Sequence, residues 1–249
     1  MTLHPLAEQF ASVADSYERG RPEYAPAVVG AIAAELGLAP HAPVLDLGAG
    51  TGKLSRALLA GGFEVLAVEP QAALREKLAE RVGAARVREG TAEEIPLEDR
   101  SVDAVTAADA FHWFDQRAAL EEIRRVLRPR GGLAVLSTIP DWRGTTWAEE
   151  LGALVQRLRP EHPQFDGPPW QDAVRAAGGW TPPRELRITS SQATDAGAIV
   201  AYLSSVSWIA GLPDERRAET LARLATLVEE GETPAQMRVH VTIGLASLA

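Results

Sequence analysis

At 249 residues and 46% hydrophobic content, the chain fits one large domain, or one domain with a cap, better than several small ones. It contains no cysteine, which excludes disulfides, thiolate metal sites and cysteine-nucleophile mechanisms. Its formal charge of -9 and the lack of a basic stripe disfavour a phosphate-backbone partner, so a small-molecule partner is expected, with no nucleic acid, no membrane and no metal.

The opening residues carry no basic segment followed by an apolar core, so they do not read as a secretion signal, and a cytoplasmic location is expected. "PAVVGAIAAEL" has a helical pattern with Pro26 suited to the first turn. Short apolar runs then alternate with helical patterns, as in right-handed strand-helix-strand units on a parallel sheet. "PVLDLG" reads as a strand, "KLSRALLAGG" as a helix with Leu54 and Leu58 on one face, and "FEVLAVE" as a second strand. "QAALREKLAERV" repeats the helix, and further strands are expected at "ARVREG" and "SVDAVTAA". A helix at "RAALEEIRRVLRP", ended by Pro129 and the Gly131-Gly132 pair, leads into a fifth strand at "GGLAVLST". "RELRITSS" and "QMRVHVTIGLA" read as two late, hairpin-like strands closing the sheet. The uncharged run Ala196 to Leu212 places Ile199, Leu203, Val206 and Ala210 on one face and reads as a packed helix, not a membrane span. The expectation is one domain over 1-249, with a core at about 41-140 plus late strands near 184-192 and 236-246. A cap would come from 1-40, 141-183 and 195-230.

"VLDLGAGTG" (Val44 to Gly52) carries the most information. Three glycines at alternate positions on a strand-to-helix turn let the backbone approach a ligand, with helix N-terminal amides pointing at it. A nicotinamide fingerprint needs G-x-G-x-x-G, and counting from Gly48 the last glycine is replaced by Lys53. Asp46, just before the glycines, disfavours a pyrophosphate and favours a cationic, amino-acid-like or sulfonium ligand. Glu69, ending the second strand, is suited to accept both ribose hydroxyls. "GTAEEIP" could present Glu93 to an adenine amino group beside the Ala92 backbone, or be a solvated acidic turn.

In their order and spacing, "VLDLGAGTG", "AVEP", "GTAEEIP", "DAFHWFD" and "LRPRGGLAVLS" resemble a class I S-adenosylmethionine-dependent methyltransferase. The chain is similar to the small-molecule branch with an "HWF" motif after the fourth strand, which includes the trans-aconitate methyltransferases. "SYERGRPEY" and "SSVSWIAGLPDERR" extend the likeness to both ends. The resemblance implies an α/β fold: a Rossmann-like, seven-stranded, mostly parallel sheet with helices on both faces and a helical cap. It implies S-adenosyl-L-methionine as cofactor and S-adenosyl-L-homocysteine as product. Gly48, Ala49 and Gly50 would line the methionine portion, with Asp46 near its amino group. Glu69 and the adjacent Pro70 would serve the ribose, and Thr91, Ala92 and Glu93 the adenine. Asp109 and Ala110 would pass the methionine side. Tyr17, Arg21 and Tyr24 would fold over the cofactor, Arg21 as a partner for its carboxylate and Tyr24 also towards substrate. Trp113, Trp142, Trp170 and Trp208 would line the acceptor site or simply pack.

Methyl transfer from a sulfonium is an in-line displacement. Alignment of two reactants supplies roughly 7 to 11 kcal/mol, more than the roughly 3 to 5 kcal/mol of a general base, so positioning can dominate. A base is needed only where the acceptor holds its proton, and His112 is the candidate; its other reading is an imidazole that walls the cofactor pocket. The alternatives are an NAD-type oxidoreductase, disfavoured by Lys53 and by the lack of a Tyr-x-x-x-Lys pair, and a non-catalytic S-adenosylmethionine-binding protein. Nucleic-acid methylation is disfavoured further by the lack of an Asn-Pro-Pro-Tyr-like motif. The acceptor and the oligomeric state are not specified by the sequence.

Overall fold

In the computed structural model, which describes residues 4–249, Val44 to Leu47 are buried without alternation. The reason is that this strand, β1 (Pro43–Leu47), is flanked by parallel neighbours and covered on both faces. It belongs to a seven-stranded mixed sheet with β2 (Glu64–Val68), β3 (Val87–Arg88), β4 (Val102–Ala108), β5 (Leu127–Asp141), β6 (Arg184–Ala193) and β7 (Gln236–Ser247). The order is β3-β2-β1-β4-β5-β7-β6, and the pairs β2/β3, β1/β2, β1/β4 and β4/β5 are parallel. The expected Rossmann-like α/β architecture is therefore present. The order reverses between β1 and β4, and the carboxyl ends of those two strands are where such sheets open a crevice.

The chain divides into two compact units. The sheet unit comprises Glu23–Thr138, Asp166–Ile188 and Val241–Ala249. Its core joins Leu45, Leu47, Val105, Leu120, Ile123 and Leu133, all essentially inaccessible. The helix Gln116–Val126 contributes its apolar stripe of Ala119, Leu120, Ile123 and Val126, while its Glu and Arg residues face outward.

The second unit is built from the described residues up to Pro22, Ile139–Phe165 and Thr189–His240. Trp147, Leu151, Leu154, Ile199, Leu203, Leu224 and Val228 form its core. The helix Ala14–Gly20 meets the helix Ala196–Ser204 so closely that a Cβ on Gly20 would fall 2.0 Å from the Tyr202 amide nitrogen, which explains the glycine.

Several expected boundaries need correction. Residues 23–40 and 166–183, assigned above to a cap, belong to the sheet unit. The helix Pro26–Leu36 buries Val28 and Ile32 there and lays Leu36 on Gly132, whose missing side chain makes the room. Trp170 likewise covers Gly244 of β7, and Val174 enters the sheet core. The helix before β5 stops at Val126, not at Pro129, since Leu127 already pairs with Val102 and Arg128 precedes a proline. β5 consequently starts four residues early and passes through an irregularity between the partners of Val102 and Ala104. The third strand shrinks to Val87–Arg88, because Ala84–Arg86 form a 3-10 turn.

The run 196–212 is not one helix. It breaks at Ser205–Val206, where the hydroxyls of Ser204 and Ser205 donate to the carbonyls of Val200 and Tyr202. Even so, Ile199, Leu203, Val206 and Ala210 are all buried. No helix among the described residues is long and apolar enough to cross a membrane.

Truncating Ile123, which is fully buried on the apolar stripe of the helix Gln116–Val126, leaves a cavity. Ile123→Ala is expected to cost about 2–5 kcal/mol, read from urea unfolding followed by far-UV circular dichroism.

Candidate active site

The turn after β1 explains its glycines. Gly48, Gly50 and Gly52 have φ of 68°, 57° and 88°, in the left-handed region that side chains disfavour. At Gly48 space is also lacking: a Cβ would lie 2.8 Å from the Ala110 Cβ and 3.4 Å from the Phe114 ring. The end of β1 and the exit of β4 are thus in direct contact. Gly48 and Ala49 donate their amides to the Val68 carbonyl, which fixes the turn against the end of β2.

Glu69 follows β2 directly and is 4% exposed. Its Oε2 accepts the Gly50 amide at 2.9 Å and its Oε1 accepts the Gln71 amide at 2.9 Å. Each oxygen therefore keeps a lone pair for a further donor. Burial pushes this carboxyl up to about 7, against the opposing pull of the Gln71 and Gly50 amides. The Pro70 carbonyl accepts from Arg75 at 2.6 Å, which ties the following residue to the helix Ala72–Val82.

Asp46 lies beneath the turn at 1% exposure. Ser55 donates its hydroxyl to Oδ2 at 2.6 Å, and Thr106, its register partner on β4, donates to Oδ1 at 3.2 Å. Burial raises its carboxyl to about 6 despite these bonds. This carboxyl is thus enclosed by protein donors beneath the turn.

The segment "DAFHWFD" resolves into separate parts. Asp109 ends β4 with φ 50°, an unusual left-handed conformation for a non-glycine residue. Its Oδ1 accepts the Thr138 amide at 2.9 Å, and its own amide donates to Leu136, so β5 holds it on both sides. Phe111 is buried in the sheet core and meets Phe114 edge-on at 5.6 Å. Asp115 caps the helix Gln116–Val126 by accepting the amides of Arg117 and Ala118 at 3.1 Å. His112 and Trp113 stay half-buried in the 3-10 turn Phe111–Trp113, with ring centroids 4.6 Å apart. Phe114 packs against the core, and Phe111 is the deeper anchor.

Glu93 accepts the Asp115 amide at 2.8 Å, which joins the "GTAEEIP" turn to this segment. Ala92 is buried, and Thr91 bridges Glu94 across the turn. Tyr24 receives the Thr138 hydroxyl at 3.1 Å. A cavity of about 280 Å³, lined by Tyr24, Val29, Ala57 and Phe63 among others, lies along the helices Pro26–Leu36 and Lys53–Ala60 and includes none of the turn residues.

Tyr17, Arg21, Trp142 and Trp208 belong to the second unit. Arg21 donates to the Ser205 hydroxyl at 2.9 Å and to the Ser205 carbonyl at 3.0 Å, and its guanidinium lies over Tyr17 and Tyr202. Trp142 packs against Trp147 and Tyr202, and Trp208 against His162 and Phe165. Trp170, a candidate substrate residue above, is committed to covering Gly244. Ser55, Thr106, Gln71 and Thr138 were missed. Thr106 had a partial signal, since it is the polar residue within the fully buried stretch Ala104–Ala107 of β4, opposite Asp46 of β1.

A glycine turn at a sheet reversal, bordered by the buried carboxyls of Asp46 and Glu69, frames the candidate site. The sequence profile described as a methyltransferase domain matches residues 45–135. The chain is 36% identical over 225 residues to an uncharacterized methyltransferase of Mycobacterium tuberculosis, covering 90% of this chain and 86% of that protein. It is 32% identical over 219 residues to one of Schizosaccharomyces pombe, covering 86% and 84%. Among solved structures, a provisionally assigned type II methyltransferase from Anaeromyxobacter dehalogenans superposes with a TM-score of 0.59 at 29% identity, covering 92% of this chain and 97% of that one. The chain belongs to the class I S-adenosylmethionine-dependent methyltransferases. The donor set fits that cofactor: the carboxylates at the turn suit a cation, Glu69 can receive two more hydroxyl donors, and the backbone at Gly48 leaves no room for a side chain.

The raised carboxyls predict a pH dependence of the ligand-free protein. Glu69 holds its proton in the folded state up to about 7 but ionises near 4.5 when unfolded. Its contribution is full below pH 4.5 and is lost as pH rises through 7. Glu69→Gln should remove on the order of 3 kcal/mol of that decline, measured by urea unfolding at pH steps between 4.5 and 7.5.

Proposed function

We propose that the glycine turn binds S-adenosylmethionine and that the protein transfers its methyl group to a small-molecule acceptor by in-line displacement. The observation that carries this reading is the anchored carboxylate of Glu69, with one amide on each oxygen and one lone pair left on each. Two vicinal hydroxyls of a ribose match that vacancy. The cofactor supplies the electrophilic methyl; the chain holds and orients it.

In this reading Gly48, Ala49 and Gly50 pass the methionine portion, and Asp46 favours its positive charges from below. Pro70 flanks the ribose, while Thr91, Ala92 and the outer oxygen of Glu93 serve the adenine. Asp109 and Ala110 form the opposite rim, where the left-handed backbone of Asp109 directs the chain past the turn. The site is acidic and the chain as a whole carries a charge of -9, which supports a small acceptor over a nucleic acid. The "HWF" sequence is the ground for placing the chain in the small-molecule branch. Lys53, where a nicotinamide site requires glycine, argues against the oxidoreductase alternative.

His112 lies beside Trp113 in the 3-10 turn Phe111–Trp113, and we read it as a wall of the site. Catalysis then rests chiefly on alignment.

Titration calorimetry tests the donor. Wild-type protein is expected to bind S-adenosylmethionine and to give no heat with NAD, whereas Glu69→Ala should weaken donor binding by about 100-fold or more through loss of two charge-assisted bonds. Heat with NAD alone would overturn the assignment. With an acceptor found by screening for S-adenosylhomocysteine release, His112→Ala should lower kcat by less than about tenfold; a loss of about 10²- to 10⁴-fold would instead identify a general base.

A further inference from the structure

Lys53 starts the helix Lys53–Ala60 immediately after Gly52, and its side chain is only 8% exposed. A buried ammonium is costly, and at a helix N-terminus it also opposes the helix dipole. It stands three residues after Gly50, in a protein whose donor carries a sulfonium. A cation in that position repels the ligand unless it is neutralised, and burial keeps salt and water from screening it.

Glu23 supplies the neutralising charge. Its Oε1 accepts Lys53 Nζ at 2.6 Å, and both of its oxygens accept Nη2 of Arg56, at 2.9 and 3.0 Å. Arg56 is 27% exposed and shares water, so Lys53 is the partner that depends on the carboxylate. The backbone holding Glu23 is itself fixed: the Tyr24 hydroxyl accepts from Thr138, whose amide donates to Asp109. Residues 23 and 24 thus form a strap running from the first turn after the glycines to the residue that ends β4.

We infer that Glu23 is a positioning residue for the methyl donor, the counter-ion that lets Lys53 stand behind the glycine turn without repelling a cationic ligand. The inference rests on the reading of the turn as the donor site. S-adenosylmethionine carries a net positive charge, whereas S-adenosylhomocysteine, with a thioether in place of the sulfonium, is a neutral zwitterion. Loss of an electrostatic neutraliser weakens the first selectively; a general loosening of the fold weakens both alike.

The experiment is calorimetric titration of the full chain with each of the two ligands. Glu23→Gln is expected to weaken S-adenosylmethionine about tenfold and S-adenosylhomocysteine less than about threefold. Removing the orphaned charge as well, in Glu23→Gln/Lys53→Met, should return S-adenosylmethionine to within about threefold of wild type. Glu23→Asp, which keeps the charge on a shorter side chain, should preserve the wild-type ratio of the two affinities and serves if Glu23→Gln does not fold. Equal losses for both ligands, no loss, or a ratio that collapses in Glu23→Asp would each overturn the inference. Wild-type protein that binds neither ligand would overturn the donor-site reading first, a result visible before any substitution is made.

Discussion

The carboxylate of Glu69 closing on the amide of Gly50 is the constraint on which the site depends. The left-handed turn leaves the Gly50 amide without a helical partner, and a buried carboxylate needs donors. Each resolves the other's deficit. The bond also joins the end of β2 to the turn after β1, so two adjacent parallel strands deliver their carboxyl ends to one place. Asp46 repeats the arrangement one layer deeper, where Ser55 and Thr106 tie the turn's helix and β4 to β1. Neither carboxyl has the low value of an exposed acid, because burial outweighs the hydrogen bonds in both. The ligand-free protein therefore carries an electrostatic cost that a cation would relieve.

A second consequence concerns how chemistry and scaffold share one short segment. Of the two carboxylates in "DAFHWFD", Asp109 fixes the exit of β4 to β5 and Asp115 begins the next helix. Between them Phe111 is committed to the core. His112 and Trp113, half-buried with ring centroids 4.6 Å apart, lie between those anchors.

Much of this was legible in the sequence for definite reasons. Alternating apolar runs and helical patterns located β1, β2 and β4 almost to the residue, since buried parallel strands tolerate few polar residues. The glycines of 48–52 and Glu69 were legible because backbone geometry and strand-end position both restrict residue choice. What was not legible depended on tertiary pairing. The break at Ser205 arises from hydroxyls competing with the helix, and the early start of β5 from Leu127 meeting Val102. The assignment of 23–40 and 166–183 to the sheet unit depends on Leu36 and Trp170 filling the gaps over Gly132 and Gly244. Asp46 was noticed for its charge, but its enclosure by Ser55 and Thr106 required the register of β1 with β4. Glu23 was passed over altogether, because its partners lie 30 and 33 residues away.

The hydrogen bonds described above at the glycine turn and its rims run between residues 23 and 138, a single uninterrupted stretch. The second unit is assembled from segments on either side of that stretch. Segments such as 139–165 and 189–240 can therefore accumulate insertions and substitutions without breaking any of these bonds. A fold wired in this way separates the inherited part of its chemistry from the part open to variation. Lineages sharing the stretch can diverge in the flanking segments while these bonds stay the same.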